Sequence, residues 1–330
     1  MIRGDLTVCL FFVRLNDMKP PTPLTCGKTM SLVLPIACLI SFNAHAAWQR
    51  DDSSLAWRDG SNVVWRFSFD VAKGKTFFDP VAIGGTALTN FKPEDHPWHY
   101  GLWFSWKYIN KANYWEENRD TGKAEGATRW MPPVIETKPD GSAEIKLVLS
   151  YTHPSGRLDL MEGRELKISA PKADGSYLID WRSTFKAGKE GAVLDRTPMP
   201  GEPDGRVNGG YAGLGLRMAG PPLTFSVVCS TGMVNQFVNE RARPNASAIA
   251  CNFAEGSRDA GGIAIFSDPA NAGENAPWYI VNSQQMRFAC AAILAPKFIT
   301  LKPGEELKLH YRISVRSQAW TPEALKAGED

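Results

Sequence analysis

No basic stripe runs through this 330-residue chain: 37 lysines and arginines stand against 35 aspartates and glutamates, spread throughout, for a net charge of +2. That balance argues against a nucleic-acid partner and against a membrane surface held by charge. Beyond residue 46 no stretch offers the roughly 18 consecutive apolar residues that a spanning helix needs. No long amphipathic helical pattern occurs before TPEALKAG at 321–328. A G-x-S-x-G elbow, a P-loop and a Cys–His nucleophile pattern are all missing, which removes their usual chemistries. Cysteine is sparse: Cys229, Cys251 and Cys290 are the only three after residue 46. Their wide spacing gives no metal signature, and an odd number allows at most one disulfide. Cys229–Cys251 is the candidate pair, with buried thiols as the alternative.

What the chain does contain begins with a leader. Lys28 precedes an apolar run from Leu32 to Phe42, and Ala44-His45-Ala46 follows as an A-x-A site. This order of charge, apolar core and small residues is that of a secretory signal, in a run too short to span a membrane. Translation can start at Met18 or Met30 as well as at Met1, and Cys38 lacks the upstream Leu of a lipoprotein signal. The expectation is a periplasmic or secreted protein, with 1–46 as leader and 47–330 as a single domain.

That domain reads as β. NVVWRFSFD at 62–70 alternates apolar and polar residues, as do segments 143–151, 165–169, 177–185 and 306–315. Further strand candidates are 75–78, 81–89, 223–228, 261–267 and 286–294. Turn signals separate them: PDGS at 139–142, ADGS at 173–176, PDG at 203–205 and KPGE at 302–305. With 29 glycines, 23 prolines and 11 tryptophans, the expected fold is all-β, one large antiparallel β-sandwich with few short helices. Segment 186–210, which carries Pro198, Pro200 and Pro203, is the longest candidate loop, and long loops in compact domains are often functional.

The chemistry concentrates in DHPWHYGLWFSWKYINKANYWEE, residues 95–117, which holds two of the five histidines. Trp98, Tyr100, Trp103 and Trp115 supply flat apolar faces. His96 and His99 are suited to proton transfer near neutral pH. Alternatives are a metal site completed by His153, or histidines hydrogen-bonded in an aromatic wall. Glu116 and Glu117 follow Trp115, and desolvation beside a Trp raises a carboxyl pKa toward that of a general acid; otherwise the pair is a solvated edge. On a strand only one of the two would face the pocket. Glu162 and Arg164 share a strand face and either pair with each other or jointly bind a hydroxyl-rich ligand. GGYAGLGLRM at 209–218 reverses the dinucleotide fingerprint and lacks a βαβ context. It reads as a Gly-rich strand, where the backbone approaches a ligand or a neighbour closely, or as a bulged core strand. Tyr211 and Arg217 would then be polar walls.

The blocks DHPWHYGLWFSW, NYWEE, GGYAGLGLRM, IFSDPANAGENAPWYI and LKPGEELKLHYRISV, in that order over most of residues 60–320, resemble an exported bacterial family labelled methane-oxygenase PmoA. That family usually has a further His where Trp98 stands and Arg where Tyr100 stands, which leaves His96 and His99 as the histidines to carry over. The label suits an integral membrane subunit, and this chain has no span after its leader. The resemblance implies the galactose-mutarotase-like supersandwich, a fold of aldose epimerases, polysaccharide lyases and companion domains of glycosidases. In its epimerases a His and a Glu pass protons at the anomeric centre.

Together these features imply an exported protein that acts on a sugar or glycan by hydrolysis, elimination or epimerisation, without a cofactor. His99 ranks first and His96 second as the proton-transfer residue, with Glu116, Glu117 or Glu162 as the carboxylate. A non-catalytic carbohydrate-binding protein is the alternative. A copper oxygenase would need His45 as the amino terminus, which the A-x-A pattern disfavours.

Overall fold

Alternation along the strands builds two facing sheets. In the computed structural model, which describes residues 46–328, Ala143–Thr152 buries Ala143, Ile145, Leu147, Leu149 and Tyr151 and turns the residues between them outward. The long strands Leu158–Ile168, Tyr177–Ala187 and Glu306–Arg316 follow the same period of two. They lie side by side in a 10-stranded sheet that continues through Arg258–Ser267, Ala248–Glu255 and Thr224–Cys229. An 11-stranded sheet faces it, with Phe77–Ile83, Leu102–Ser105, Gly213–Arg217, Arg287–Ala291 and Ala276–Asn282 adjacent in that order. Every described pairing is antiparallel. The expected all-β sandwich is therefore the fold, and the main core lies between the sheets, with Trp65, Phe78, Leu102, Leu214 and Ile280 from one and Leu149, Ile179, Trp181 and Ile313 from the other.

The 11-stranded sheet is covered on its outer side as well. Leu102 and Phe104 point into the main core, while Trp103 between them points the other way into a second cluster with Phe77, Tyr100, Trp115, Tyr279, Val281, Phe288 and Cys290. Strands buried on both faces lose their polar alternation and read as continuous apolar runs. Gly215 sits under this second cluster, where an added Cβ would come within 3.1 Å of Trp103 and 3.3 Å of Phe288. The glycine-rich strand thus admits neighbouring aromatic rings.

Two short α-helices occur among the described residues, Pro269–Ala272 and Pro322–Ala327, with one 3-10 turn at Val71–Lys73. The second is the expected TPEALKAG helix, capped by the Thr321 side chain. Cys229, Cys251 and Cys290 are free, buried thiols, so the candidate Cys229–Cys251 disulfide is replaced by its alternative. The apolar run, Ala44-His45 and the candidate starts lie outside the described residues. No helix among the described residues is long and apolar enough to cross a membrane.

Candidate functional site

The segment from Asn90 to Gly101 crosses the outer face of the 11-stranded sheet and is fastened at both ends. Asn90 N donates to Arg217 O at 3.0 Å, and Arg217 N donates to Gly101 O at 2.7 Å. Gly101 has φ 71°, and a Cβ there would lie 2.5 Å from the Phe78 carbonyl, so only glycine fits. Two turns follow each other inside the segment: His96 N donates to Pro93 O at 3.1 Å, and His99 N to His96 O at 3.0 Å. One turn of spacing stacks the two imidazoles, with centroids 4.8 Å apart and planes 26° from parallel. His99 stacks in turn on Phe288, at 4.8 Å and 24°.

The two histidines have different surroundings. Burial, reinforced by the nearby His96, Arg217 and Lys75, holds the His99 imidazole well below its ordinary pKa and therefore neutral, and its Nδ1 has no hydrogen-bond partner. His96 is the more open, with about a third of its side chain exposed. Its Nδ1 lies 2.9 Å from Asp95 Oδ2, and Arg217 Nη2 reaches both Asp95 oxygens at 2.8 Å. Burial pushes the Asp95 carboxyl up, but the bonds from His96 and Arg217 outweigh it and leave the group below its ordinary range. An ionised Asp95 only accepts, so His96 Nδ1 carries the hydrogen of that bond and Nε2 is the ring nitrogen turned away from Asp95.

Glu116 is delivered by a second local device. Tyr108–Ile109 and Ala112–Asn113 pair through the turn Asn110-Lys111, both at positive φ. Asn113 Oδ1 then accepts from Trp115 N at 2.9 Å and from Glu116 N at 3.2 Å. This turn sends Trp115 against Trp103 and Tyr211, Glu116 toward His96 and His99, and Glu117 away from them. Lys107 Nζ and the Tyr211 hydroxyl both donate to Glu116, as does Asn113 Nδ2 at 2.7 Å. Burial raises the Glu116 carboxyl, yet Lys107 leads a set of donors that together bring it below its ordinary value. The desolvated general acid expected beside Trp115 is therefore corrected: Glu116 is an ionised acceptor.

These residues meet in one cleft of about 220 Å³, lined by His96, Trp98, His99, Trp115, Glu116 and Tyr211. Sequence reasoning missed Arg241, Tyr279 and Phe288 on its far wall, and Val207 and Asn208 from the long loop. Arg243 ties that loop down by donating to Val207 O at 2.7 Å and Gly209 O at 2.9 Å. Three expected contact residues stand behind the lining instead. Tyr100 is fully buried, its hydroxyl donating to Glu117 at 2.6 Å, in a cluster where Lys75 also pairs with Glu117 at 2.6 Å. Trp103 is fully buried under His99, and Arg217 is buried against Asp95.

Glu162 does not reach the cleft. It is fully buried between the sheets, held by Arg164 Nε at 2.7 Å and Nη2 at 2.8 Å, the Tyr151 hydroxyl at 2.5 Å and Ser183 Oγ at 2.7 Å. Both oxygens are spoken for, so the ion pair with Arg164 is its role and the catalytic assignment is corrected. His153 lies in a hairpin turn against Ser155, and among the described residues no group of three or more His, Cys, Asp or Glu side chains is placed to hold a metal ion.

Residues 54–328 match the family of unknown function DUF6807, and the chain belongs to that family. No curated protein matches it. Among solved structures it is similar to an α-galactosidase from Lactobacillus brevis, at 8% identity and TM-score 0.43, over 82% of this chain and 39% of that one. A GH36 α-galactosidase from Geobacillus stearothermophilus in complex with raffinose matches at 10% identity and TM-score 0.44, over 83% of this chain and 41% of that one. A galactose mutarotase related enzyme from Lactobacillus acidophilus matches at 7% identity and TM-score 0.36, over 84% and 99% of the two chains. The chain thus spans about two fifths of the length of the two galactosidases. These likenesses are of fold.

Proposed function

We propose that the cleft binds a sugar ring and moves a proton on it, with His96 and Glu116 as the exchanging pair. The observation that carries this reading is their convergence in one cleft whose remaining lining includes Trp98, Trp115 and Tyr211. Aromatic faces stack on the apolar face of a sugar ring, and the carboxylate and imidazole take its hydroxyls. Glu116, ionised, takes a proton from the ring as the base, and His96, bonded to Asp95 through Nδ1, returns one from Nε2 as the acid; the roles reverse on the way back. His99, neutral and stacked between His96 and Phe288, fixes the plane of the His96 ring. This reverses the rank of the two histidines, because the buried one has lost its capacity to titrate near neutrality.

Among the three reactions open to such a site, proton transfer without hydrolysis is favoured. Glycoside hydrolysis ordinarily uses two carboxyl groups, one on each side of the bond. Glu116 is the only carboxylate lining the cleft among the described residues, and Asp95 is committed to Arg217 and His96. Epimerisation or elimination needs one base and one acid, which His96 and Glu116 supply.

One observation supports a second reading, a binding protein without turnover: both Glu116 oxygens already accept hydrogen bonds. Tryptophan fluorescence separates the two, since Trp98 and Trp115 line the cleft. Titration with aldoses and uronic acids is expected to shift the emission, and product formation is followed in the same samples. His96→Gln keeps the shift and loses the product if the protein is an enzyme. A shift with no product in the native protein supports the binding reading, and no shift with any sugar rejects both. The exported location read from the leader belongs to the same proposal, and amino-terminal sequencing of the mature protein tests it.

A further inference from the structure

Arg241 is the one arginine or lysine lining the cleft among the described residues, and neither proton transfer nor ring stacking uses it. Its position is fixed by a tight turn. Val238 N donates to Arg241 O at 2.9 Å and Arg241 N donates back to Val238 O at 3.1 Å, around Asn239 and Glu240 at φ 49° and 65°. Asn282 N holds the turn through Glu240 O at 2.9 Å, and Arg241 opens the short strand Arg241–Ala242 by pairing with Val281 near the end of Ala276–Asn282. The guanidinium is oriented as well: Nε donates to the Tyr279 hydroxyl at 3.2 Å and Nη1 to Asn239 O at 2.5 Å.

A guanidinium has five N–H groups, so this one keeps three free, both on Nη2 and one on Nη1. That is the fork which grips a carboxylate through two parallel bonds. Its charge is weakly compensated. The nearest carboxylate, Glu240, stands 4.0 Å away and is mostly exposed, where an ion pair contributes little. The other charges at the cleft are paired off: Glu116 with Lys107 and Asp95 with Arg217. Among the described residues a single guanidinium lines the cleft, with the neighbouring Arg243 set against the Tyr279 ring and donating to the Val207 and Gly209 carbonyls, and one such fork suits a monoanion better than a phosphate dianion. The cleft, at about 220 Å³, is smaller than the roughly 300–1,000 Å³ of drug-sized ligand sites and suits a single ring.

We propose that Arg241 selects a sugar acid, a single ring bearing a carboxylate, which it holds through Nη1 and Nη2 while the ring lies against Trp98 and Tyr211. The proposal rests on the sugar-binding reading above and names its substrate class. Isothermal titration compares hexuronic acids with their parent hexoses, their uronamides, and cyclohexanecarboxylate, a ring acid with no hydroxyls. The native protein is expected to bind at least one uronic acid about tenfold or more tighter than its uronamide, the scale of a charge-assisted hydrogen bond. Arg241→Gln lowers uronic-acid affinity to that of the uronamide and so abolishes the preference, whereas Arg241→Lys retains part of it. If hexose and uronamide bind as well as the acid, the inference is overturned and the sugar reading stands. Arg241-dependent binding of cyclohexanecarboxylate with no sugar bound leaves an acid site and overturns the sugar reading. No binding by any probe overturns both.

Discussion

Glu162 and Glu116 each sit inside the protein beside a cation and a tyrosine hydroxyl, and they have opposite consequences. Glu162 is closed on every side: Arg164 grips both oxygens, Tyr151 and Ser183 complete them, and none of the side chain meets solvent. Glu116 has a comparable set of donors in Lys107, Asn113 and Tyr211, but about a fifth of its side chain is open, toward two imidazoles and an aromatic wall. The first arrangement ties one sheet internally, as a buried ion pair does when all of its valences are met. The second leaves an ionised carboxylate facing space that a ligand can fill. Partner count is similar in the two regions, so access separates a structural charge from an available one.

The contrast can be broken by substitution. Glu162→Ala strands the Arg164 charge between the sheets and is expected to cost about 3–5 kcal/mol of stability, read from urea unfolding. Glu116→Ala unpairs Lys107, itself buried, but removes a side chain about a fifth open to the cleft, so water can take its place and the expected cost is smaller; equal losses in the two variants would erase the distinction. Activity should respond in reverse. Glu116→Gln and His96→Gln are each expected to lower turnover by roughly 10²–10⁴-fold, the usual contribution of a positioned acid or base, with affinity within a few-fold of native.

Smaller effects sharpen the picture. Trp98→Ala removes a stacking face worth about 0.5–1.5 kcal/mol, so affinity falls roughly 3- to 10-fold while turnover of bound ligand holds. His99 offers a test of burial alone. Its pKa is lower folded than in the ordinary range near 6.5, so below that pH the unfolded chain binds the extra proton. The stability His99 contributes is full above about pH 6.5 and is lost as the pH falls, with a slope of at most about 1.4 kcal/mol per pH unit. His99→Phe keeps a stacked ring without the titration and is expected to flatten stability between pH 6.5 and the onset of carboxylate protonation. An unchanged slope would show that His99 is not the neutral group described here.

Much of this was legible in the sequence where one face of an element meets solvent. The long strands of the 10-stranded sheet show their alternation, as in AEIKLVLSY and ELKLHYRISV, and their turns carry Asp-Gly and Pro-Gly. Ala248–Glu255 and Ala276–Asn282 were not read as strands, because nearly every residue of each is buried and no polar beat remains. For the site, the dense stretch at 95–117 does supply His96, His99, Trp98, Trp115 and Glu116 to one cleft. It gives no sign that Tyr100 and Trp103 face inward, since an aromatic side chain suits a cleft and a core equally. Lys107 lies within that stretch and its charge could have been matched to Glu116. Arg241 and Phe288 could not be found that way: each comes from a distant strand, and only the pairing of Ala276–Asn282 with both of their strands brings them together.

The most direct test is nuclear magnetic resonance of the native protein with aldoses and uronic acids in D₂O. A single spectrum follows both exchange between anomers and deuterium uptake at ring carbons. The expected result is acceleration of one of these for at least one sugar, reduced about 100-fold or more in His96→Gln and Glu116→Gln. Proton transfer at this cleft is contradicted if no sugar responds, or if His96→Gln is as fast as the native protein.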